Sequence, residues 1–164
     1  MTKLFFAMAL LLASFAAFAQ QASELGKQDL AKLVPQNYFF AGQTASTQTR
    51  NAGGVKVGDK MVLFALVDNS GYSTGVQQKY QGLLITQVPL KVGDKTIPPG
   101  SYGFGTPSAD HFNVLDINAN EIAGGPVSAA STDQRAVPLR VTSKGDSVVL
   151  SLGKRAFTFG VAQQ

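Results

Sequence analysis

His111 is the single histidine of a 164-residue chain, and Asp110 stands directly before it. A histidine beside an acid suggests nucleophilic hydrolysis, in which the imidazole takes a serine proton and a carboxylate orients the ring. Adjacent residues of a strand point to opposite faces, however, so Asp110 is badly placed to orient its neighbour. No G-x-S-x-G nucleophile elbow is present. The expectation is a surface histidine at a loop–strand junction. With no cysteine in the chain there is no thiolate nucleophile, and the usual multi-histidine and cysteine metal sites lack their ligands.

Three further groupings carry chemistry-bearing residues. Asp116-Ile117-Asn118-Ala119-Asn120 opens like a calcium loop, with hard oxygens at alternate positions. Glu121 then stands where the sharp turn needs glycine, and Val127 where the bidentate glutamate belongs, so a polar turn is expected. Gly103-Phe104-Gly105 begins like a nucleotide loop but continues Thr106-Pro107-Ser108, with no strand-to-helix context. These glycines read as room for close packing against aromatics. The loop Asp68 to Gly75 is polar and carries Tyr72, while Tyr80 and Tyr102 lie on expected strands. A tyrosine offers a stacking face and a hydroxyl, so Tyr72, Tyr80 and Tyr102 are the candidate ligand-binding residues, for a sugar or other polar molecule. No residue is expected to be catalytic, and no metal or other cofactor is called for.

The elements that must position these residues are mostly strands. Gln20 to Val34 is the one helical segment expected, with Ser23 as cap, Leu25, Leu30 and Leu33 near one face, and Pro35 as terminator. It reads as a short helix packed on the body or as a leader. Tyr38 to Ala41 is a short strand, Thr44 to Thr49 an edge strand or loop, and Asn51 to Gly54 a flexible connection. Met61 to Val67 is nearly all apolar and is expected to be central, buried on both faces. Val76 to Thr86 reads as a strand region bent at Gly82. Leu90 to Val92 and Lys95 to Ile97 flank the hairpin turn Gly93-Asp94. Ser101 to Thr106 and His111 to Ile117 are further strands, Ala123 to Asp133 a long loop, and the remainder from Leu139 a three-stranded meander. Strand centres roughly 8–12 residues apart predict a single antiparallel β-sandwich or barrel-like domain with one short N-terminal helix.

The first nineteen residues give the compartment. Lys3 supplies a positive start, Leu4 to Phe18 an apolar run, and Ala17-Phe18-Ala19 the small-x-small pattern of a signal-peptidase site. Cleavage between Ala19 and Gln20 divides the chain into a signal peptide (1–19), an N-terminal helix or leader (20–36) and a β-domain (37–164), and makes the product periplasmic or extracellular. About 145 residues then remain, enough for one self-sufficient core. An exported chain without cysteine, and without an N-x-[ST] acceptor, fits a bacterial source. It also lacks a lipid-attachment cysteine. Net charge is +4, with the cations scattered rather than striped, which argues against nucleic acid as a partner. No later apolar run reaches the ~20 residues of a membrane helix, and the strands are mostly shorter than the ~9–11 residues of a membrane barrel.

Ile97-Pro98-Pro99-Gly100-Ser101-Tyr102-Gly103-Phe104-Gly105 resembles the I-P-x-G-x-Y turn-strand element of small exported bacterial β-domain proteins of uncharacterised function. The tail Leu150 to Arg155 is similar to an end-strand pattern in such chains. The resemblance implies an exported β-domain and transfers no catalytic residue. The function expected is therefore a non-catalytic ligand-binding or envelope-interaction protein, its partner a small polar ligand or an envelope component. One alternative is an assembly protein pairing through an exposed strand edge, around Thr44 to Thr49. A second is a hydrolase using His111.

Overall fold

The computed structural model describes residues 22–131 and 135–162. The expected signal peptide and its cleavage site lie outside the described residues. In chain order the elements are β1 (Ser23–Glu24), α1 (Lys27–Leu33), β2 (Asn37–Phe40), β3 (Gln43–Val57), β4 (Lys60–Val67), α2 (Thr74–Lys79), β5 (Gly82–Thr86), β6 (Leu90–Val92) and β7 (Lys95–Ile97). There follow β8 (Gly100–Gly105), β9 (His111–Leu115), β10 (Glu121–Pro126), β11 (Ser128–Ala129), β12 (Arg140–Lys144), β13 (Ser147–Leu152) and β14 (Arg155–Val161).

Among the described residues the strands form two antiparallel sheets and no closed barrel. The first runs β1-β3-β4-β5-β8-β9-β10, with β2 added to β3; the second runs β12-β13-β14-β6-β7, with β11 added to β14. β4 shows why its sequence is an unbroken apolar run. Val62 and Phe64 enter the core shared with the second sheet. Leu63 and Ala65, on the opposite face, are covered by Leu25 and by Leu30 and Val34 of the α1 region. All four are fully buried, so neither face tolerates a polar side chain.

Aromatic rings join the two layers. Phe112 of β9 stacks on Phe157 of β14 at 4.3 Å, and Phe64 of β4 meets Phe159 at 5.2 Å. Each such pair contributes about 0.5–1.5 kcal/mol beyond the area it buries. Between the rings the strands approach so closely that some positions exclude a side chain. A Cβ at Gly82 would stand 2.2 Å from Cζ of Phe104 and 2.5 Å from the Ala65 carbonyl oxygen.

Several expectations are corrected. Two helices are present among the described residues rather than one. The N-terminal helix starts at Lys27, because Ser23–Glu24 pair with Val55 and Lys56 of β3. Ser23 therefore belongs to a strand and does not cap the helix. The second helix, α2, occupies the first part of the expected Val76 to Thr86 strand. Its polar residues are exposed or half-buried, so their alternation carried no β signal. Asn51 to Gly54 is no flexible connection but the middle of β3, where the register with β4 shifts between Gln48 and Ala52. Its glycines serve close approach: a Cβ at Gly53 would meet Cγ2 of Val141 at 2.8 Å, and one at Gly54 the Val62 carbonyl oxygen at 2.7 Å. Thr44 to Thr49 is likewise inside β3, paired with β2 up to Ser46 and with β4 from Thr47. The stretch read as a loop from Ala123 contains β10 and β11 as far as Ala129. Gly93, in the β6–β7 turn, lies close enough to Gly124 that a Cβ on it would meet that residue's oxygen at 2.3 Å.

Candidate functional site

The residues singled out in the sequence separate into four places. His111 opens β9 and faces Glu121 of β10, its Nε2 2.8 Å from Oε1 of the carboxylate. Asp110 is bonded instead to the Ser108 hydroxyl at 2.6 Å. That bond, more than the neighbouring imidazole, holds the Asp110 carboxyl below its usual range. Hydroxyl, imidazole and acid therefore do not stand in one relay, and His111 has the surface position expected of it. Among the described residues no group of histidine and carboxylate side chains has the makings of a metal site.

Asp116 behaves as a turn residue. Its Oδ1 accepts from the backbone N–H of Asn118 at 2.9 Å and of Asn120 at 2.8 Å, and Oδ2 accepts from the Asn120 carboxamide at 3.0 Å. The Asn120 side-chain and backbone bonds lower its pKa. Both carboxylate oxygens of Asp116, the first of the calcium-like positions, are thus used to close the turn.

The three tyrosines do not share one surface. Tyr102 lies in the core between the sheets and donates to the Pro98 carbonyl at 2.8 Å. Tyr80, just past α2, is buried on the opposite face of the first sheet, against Tyr38, Phe40 and Leu83. Its ring stacks on Phe40 at 4.3 Å, and Gly103 leaves the space beside it, since a Cβ there would lie 2.7 Å from the ring. Tyr72 packs edge-on to Phe40 and donates to the Thr44 carbonyl at 2.6 Å. The structure thus brings Tyr72 and Tyr80 together, with Tyr38 and Phe40, and sets Tyr102 apart.

Tyr72 and Tyr80 fasten a segment that walls a polar groove. Asn69 Nδ2 donates to the carbonyls of Gln77 at 3.0 Å and Tyr80 at 2.6 Å, and Gln77 Nε2 donates to the Tyr72 carbonyl at 2.8 Å. These bonds fold 68–80 into a compact loop and helix against the end of β4. The backbone N–H of Thr106 reaches the Gln78 carbonyl at 3.0 Å. This approach requires glycine at 105, where a Cβ would meet the same oxygen at 2.3 Å.

The groove lies between this segment and the β13–β14 turn, with a cavity of about 580 Å³. Gln48, Asn69, Gln77, Gln78, Gln81 and Arg155 supply its polar groups, and Leu66 and Leu152 supply apolar surface. Arg155 Nη1 donates to Thr106 Oγ1 at 3.1 Å, and Thr106 donates on to Gln81 Oε1 at 3.1 Å. Gln81 keeps its Nε2 donor, while Asn69 and Gln77, which use their NH₂ groups on the backbone, keep their acceptor oxygens. Among the described residues no carboxylate lines the groove. Arranged in this way, the site can hold a neutral group that both donates and accepts hydrogen bonds, and it has no general acid–base pair. Sequence reasoning missed it because 76–86 was read as one strand region, with Gln77 and Gln81 on one face and Gln78 on the other, whereas Gln77 and Gln78 lie on a helix that ends at Lys79.

No protein-family model, no curated protein and no solved structure matches this chain.

Proposed function

We propose that the protein is an exported, non-catalytic binding domain whose two layers form a β-sandwich, and that it holds a neutral hydroxyl-rich ligand, such as a short oligosaccharide, in the carboxamide groove. The observation that carries this reading is the lining: five carboxamides and one arginine around apolar surface, without a carboxylate. Each sugar hydroxyl both donates and accepts, which matches side-chain amides whose remaining ends are of both kinds. Cleaving a glycosidic bond takes two carboxyl groups in almost every known mechanism. A groove with none is suited to holding a sugar, not hydrolysing it. Export is supported by the apolar segment 1–19 and its Ala17-Phe18-Ala19 ending. Among the described residues no helix is long and apolar enough to cross a membrane.

Calorimetric titration against a panel of neutral oligosaccharides tests the reading. Binding by at least one is expected, weakened about tenfold by Gln81→Leu, the effect of losing one hydrogen bond and stranding its partner. Absence of heat with every saccharide at millimolar concentration would rule the reading out. So would a Gln81→Leu protein that binds as tightly as its parent.

A further inference from the structure

The two sheets differ in how their outer faces are covered. On the first, the α1 region packs over Leu63 and Ala65, and β2 with Tyr80 packs over Leu83 and Leu115. On the second, the outward side chains stay exposed or half-buried. β13 shows the division: Val148, Leu150 and Leu152 enter the core, while Ser147, Val149 and Ser151 face outward. The register carries this outward set across the sheet in three rows. Arg140, Ser151, Ala156 and Ser128 form the first, and Thr142, Val149 and Thr158 the second. Lys144, Ser147, Gly160 and Lys91 form the third. Residues opposite one another across strands share a face.

Two adjoining cavities open on this face. The first, of about 450 Å³, has Thr142, Val149, Ser151 and Thr158 in its floor and the segments 128–131 and 135–137 beside it. Those segments are fixed to the β13–β14 turn, since the Ala130 N–H donates to the Lys154 carbonyl at 2.9 Å and the Gly153 N–H to the Val137 carbonyl at 3.2 Å. The second cavity, of about 320 Å³, continues from the first: Ser128 and Thr158 line both, and Lys91 lines the second. The phenylalanine rings beneath it are at most 3% exposed, so the outward rows alone are offered to a ligand.

The charge on this face has one sign. Lys144 and Lys91 stand at the two ends of the third row, three strand spacings or about 14 Å apart. Neither forms an ion pair among the described residues. Arg135 and Arg140 add to the first cavity, and among the described residues no carboxylate lines either one. Asp94 and Asp146 are set in the β6–β7 and β12–β13 turns. Between the lysines, the hydroxyls of Thr142, Ser147, Ser151 and Thr158 have no hydrogen-bond partner among the described residues. An ordinary surface mixes both signs. Cations alone, with unused hydroxyls between them, are complementary to a chain that carries anionic groups and hydroxyls of its own.

We propose that this face binds an acidic polysaccharide, its carboxylates meeting Lys144 and Lys91 and its ring hydroxyls the serine and threonine hydroxyls between them. Nucleic acid fits less well, because no exposed aromatic ring is present here for its bases to stack on. A bilayer also fits less well. The large exposed apolar side chains, Leu33, Phe39 and Ile117, all lie elsewhere, so nothing on this face can enter the acyl region.

Calorimetric titration of the purified protein with tetragalacturonate, against the same tetrasaccharide with its carboxyls methyl-esterified, tests the proposal. The acid is expected to bind and the ester to bind about tenfold more weakly or worse. Affinity for the acid should fall as salt is raised. Lys144→Glu and Lys91→Glu should each weaken it about tenfold, and both positions are exposed, so folding is not at risk. Lys32→Glu makes the same change of charge on α1, which covers the other sheet, and should leave binding as it was. Equal affinity for acid and ester, an equal loss with Lys32→Glu, or no binding of tetragalacturonate would overturn the proposal. So would binding of tetraglutamate or of phosphatidylglycerol vesicles as tight as that of tetragalacturonate, since the partner would then be an acidic peptide or a membrane. Gln81→Leu should bind tetragalacturonate as its parent does, which separates this outcome from that of the carboxamide groove; a loss there would place the acidic sugar in the groove and overturn the assignment to this face.

Discussion

Tyr80 is buried to 3% of its surface, and its hydroxyl meets no hydrogen-bond partner among the described residues. A stranded hydroxyl of this kind costs about 1–3 kcal/mol, so Tyr80→Phe should leave the ring packing intact and raise stability by about 1 kcal/mol in urea titration. An unchanged or lower midpoint would mean that the hydroxyl has a role its surroundings do not reveal. The glycines make an opposite pair of predictions. Gly82→Ala drives a methyl into the Phe104 ring and the Ala65 carbonyl and should cost several kcal/mol or prevent folding, whereas Gly125→Ala should change stability by less than about 1 kcal/mol. Much at this scale was readable in sequence. The glycines at 103 and 105 were recognised as room for neighbours, and Asp116 to Asn120 as a turn. Which neighbours they made room for was not readable, because the Gln78 carbonyl comes from a helix that the sequence pattern did not suggest, and the Tyr80 ring from the residue that caps it.

The elements divide by how their faces are covered. β4, apolar on both sides, and the hairpin of β6 and β7, with Gly93 at φ +61°, were legible because burial and turn geometry leave a direct mark on residue choice. α2 left none. It buries no residue of its own and is held by polar bonds to positions far along the chain. The Tyr72 hydroxyl bond to Thr44 is one of those ties, so Tyr72→Phe should cost about 1 kcal/mol and speed amide exchange in 74–80 selectively. Uniform exchange across the first sheet would show that the helix does not open on its own. β10 was hidden for a related reason: a run of small residues and glycine resembles a loop unless the strand it pairs with is known.

Across the whole molecule, three exposed carboxylates set the response to acid. Asp68, Asp110 and Asp116 are each held below the usual aspartate range, chiefly by side-chain hydrogen bonds from Ser70, Ser108 and Asn120. A depressed native pKa favours the folded state once the unfolded carboxyl, at about 3.9, is ionised. That contribution is lost as pH falls through the lower native values. The melting temperature should therefore be flat near neutrality and fall on acidification below about pH 4, and Asp116→Asn should make the fall shallower. At the other limit Tyr38, Tyr80 and Tyr102 are raised by burial, so the folded state resists their ionisation. Stability present below the unfolded tyrosine value of about 10 should be lost above it, as a cooperative alkaline transition in tyrosine absorbance. The mainly antiparallel β character was legible from strand spacing, but the choice between sandwich and barrel was not. Nor was the order of strands, since it depends on contacts between distant parts of the chain.

The seating of the first described residues has a consequence for the order in which the fold is assembled. Ala22 is buried, and its carbonyl accepts from the Ser143 hydroxyl at 2.8 Å, across 121 positions of sequence. β1 is thus clasped between β3, made early in synthesis, and β12, made near the end. The entropy of closing so long a loop must be met before the clasp returns any stability, which slows folding. The Ser143 half of this clasp can form only after β12 has been made, so the seating of Ala22 is completed late in synthesis.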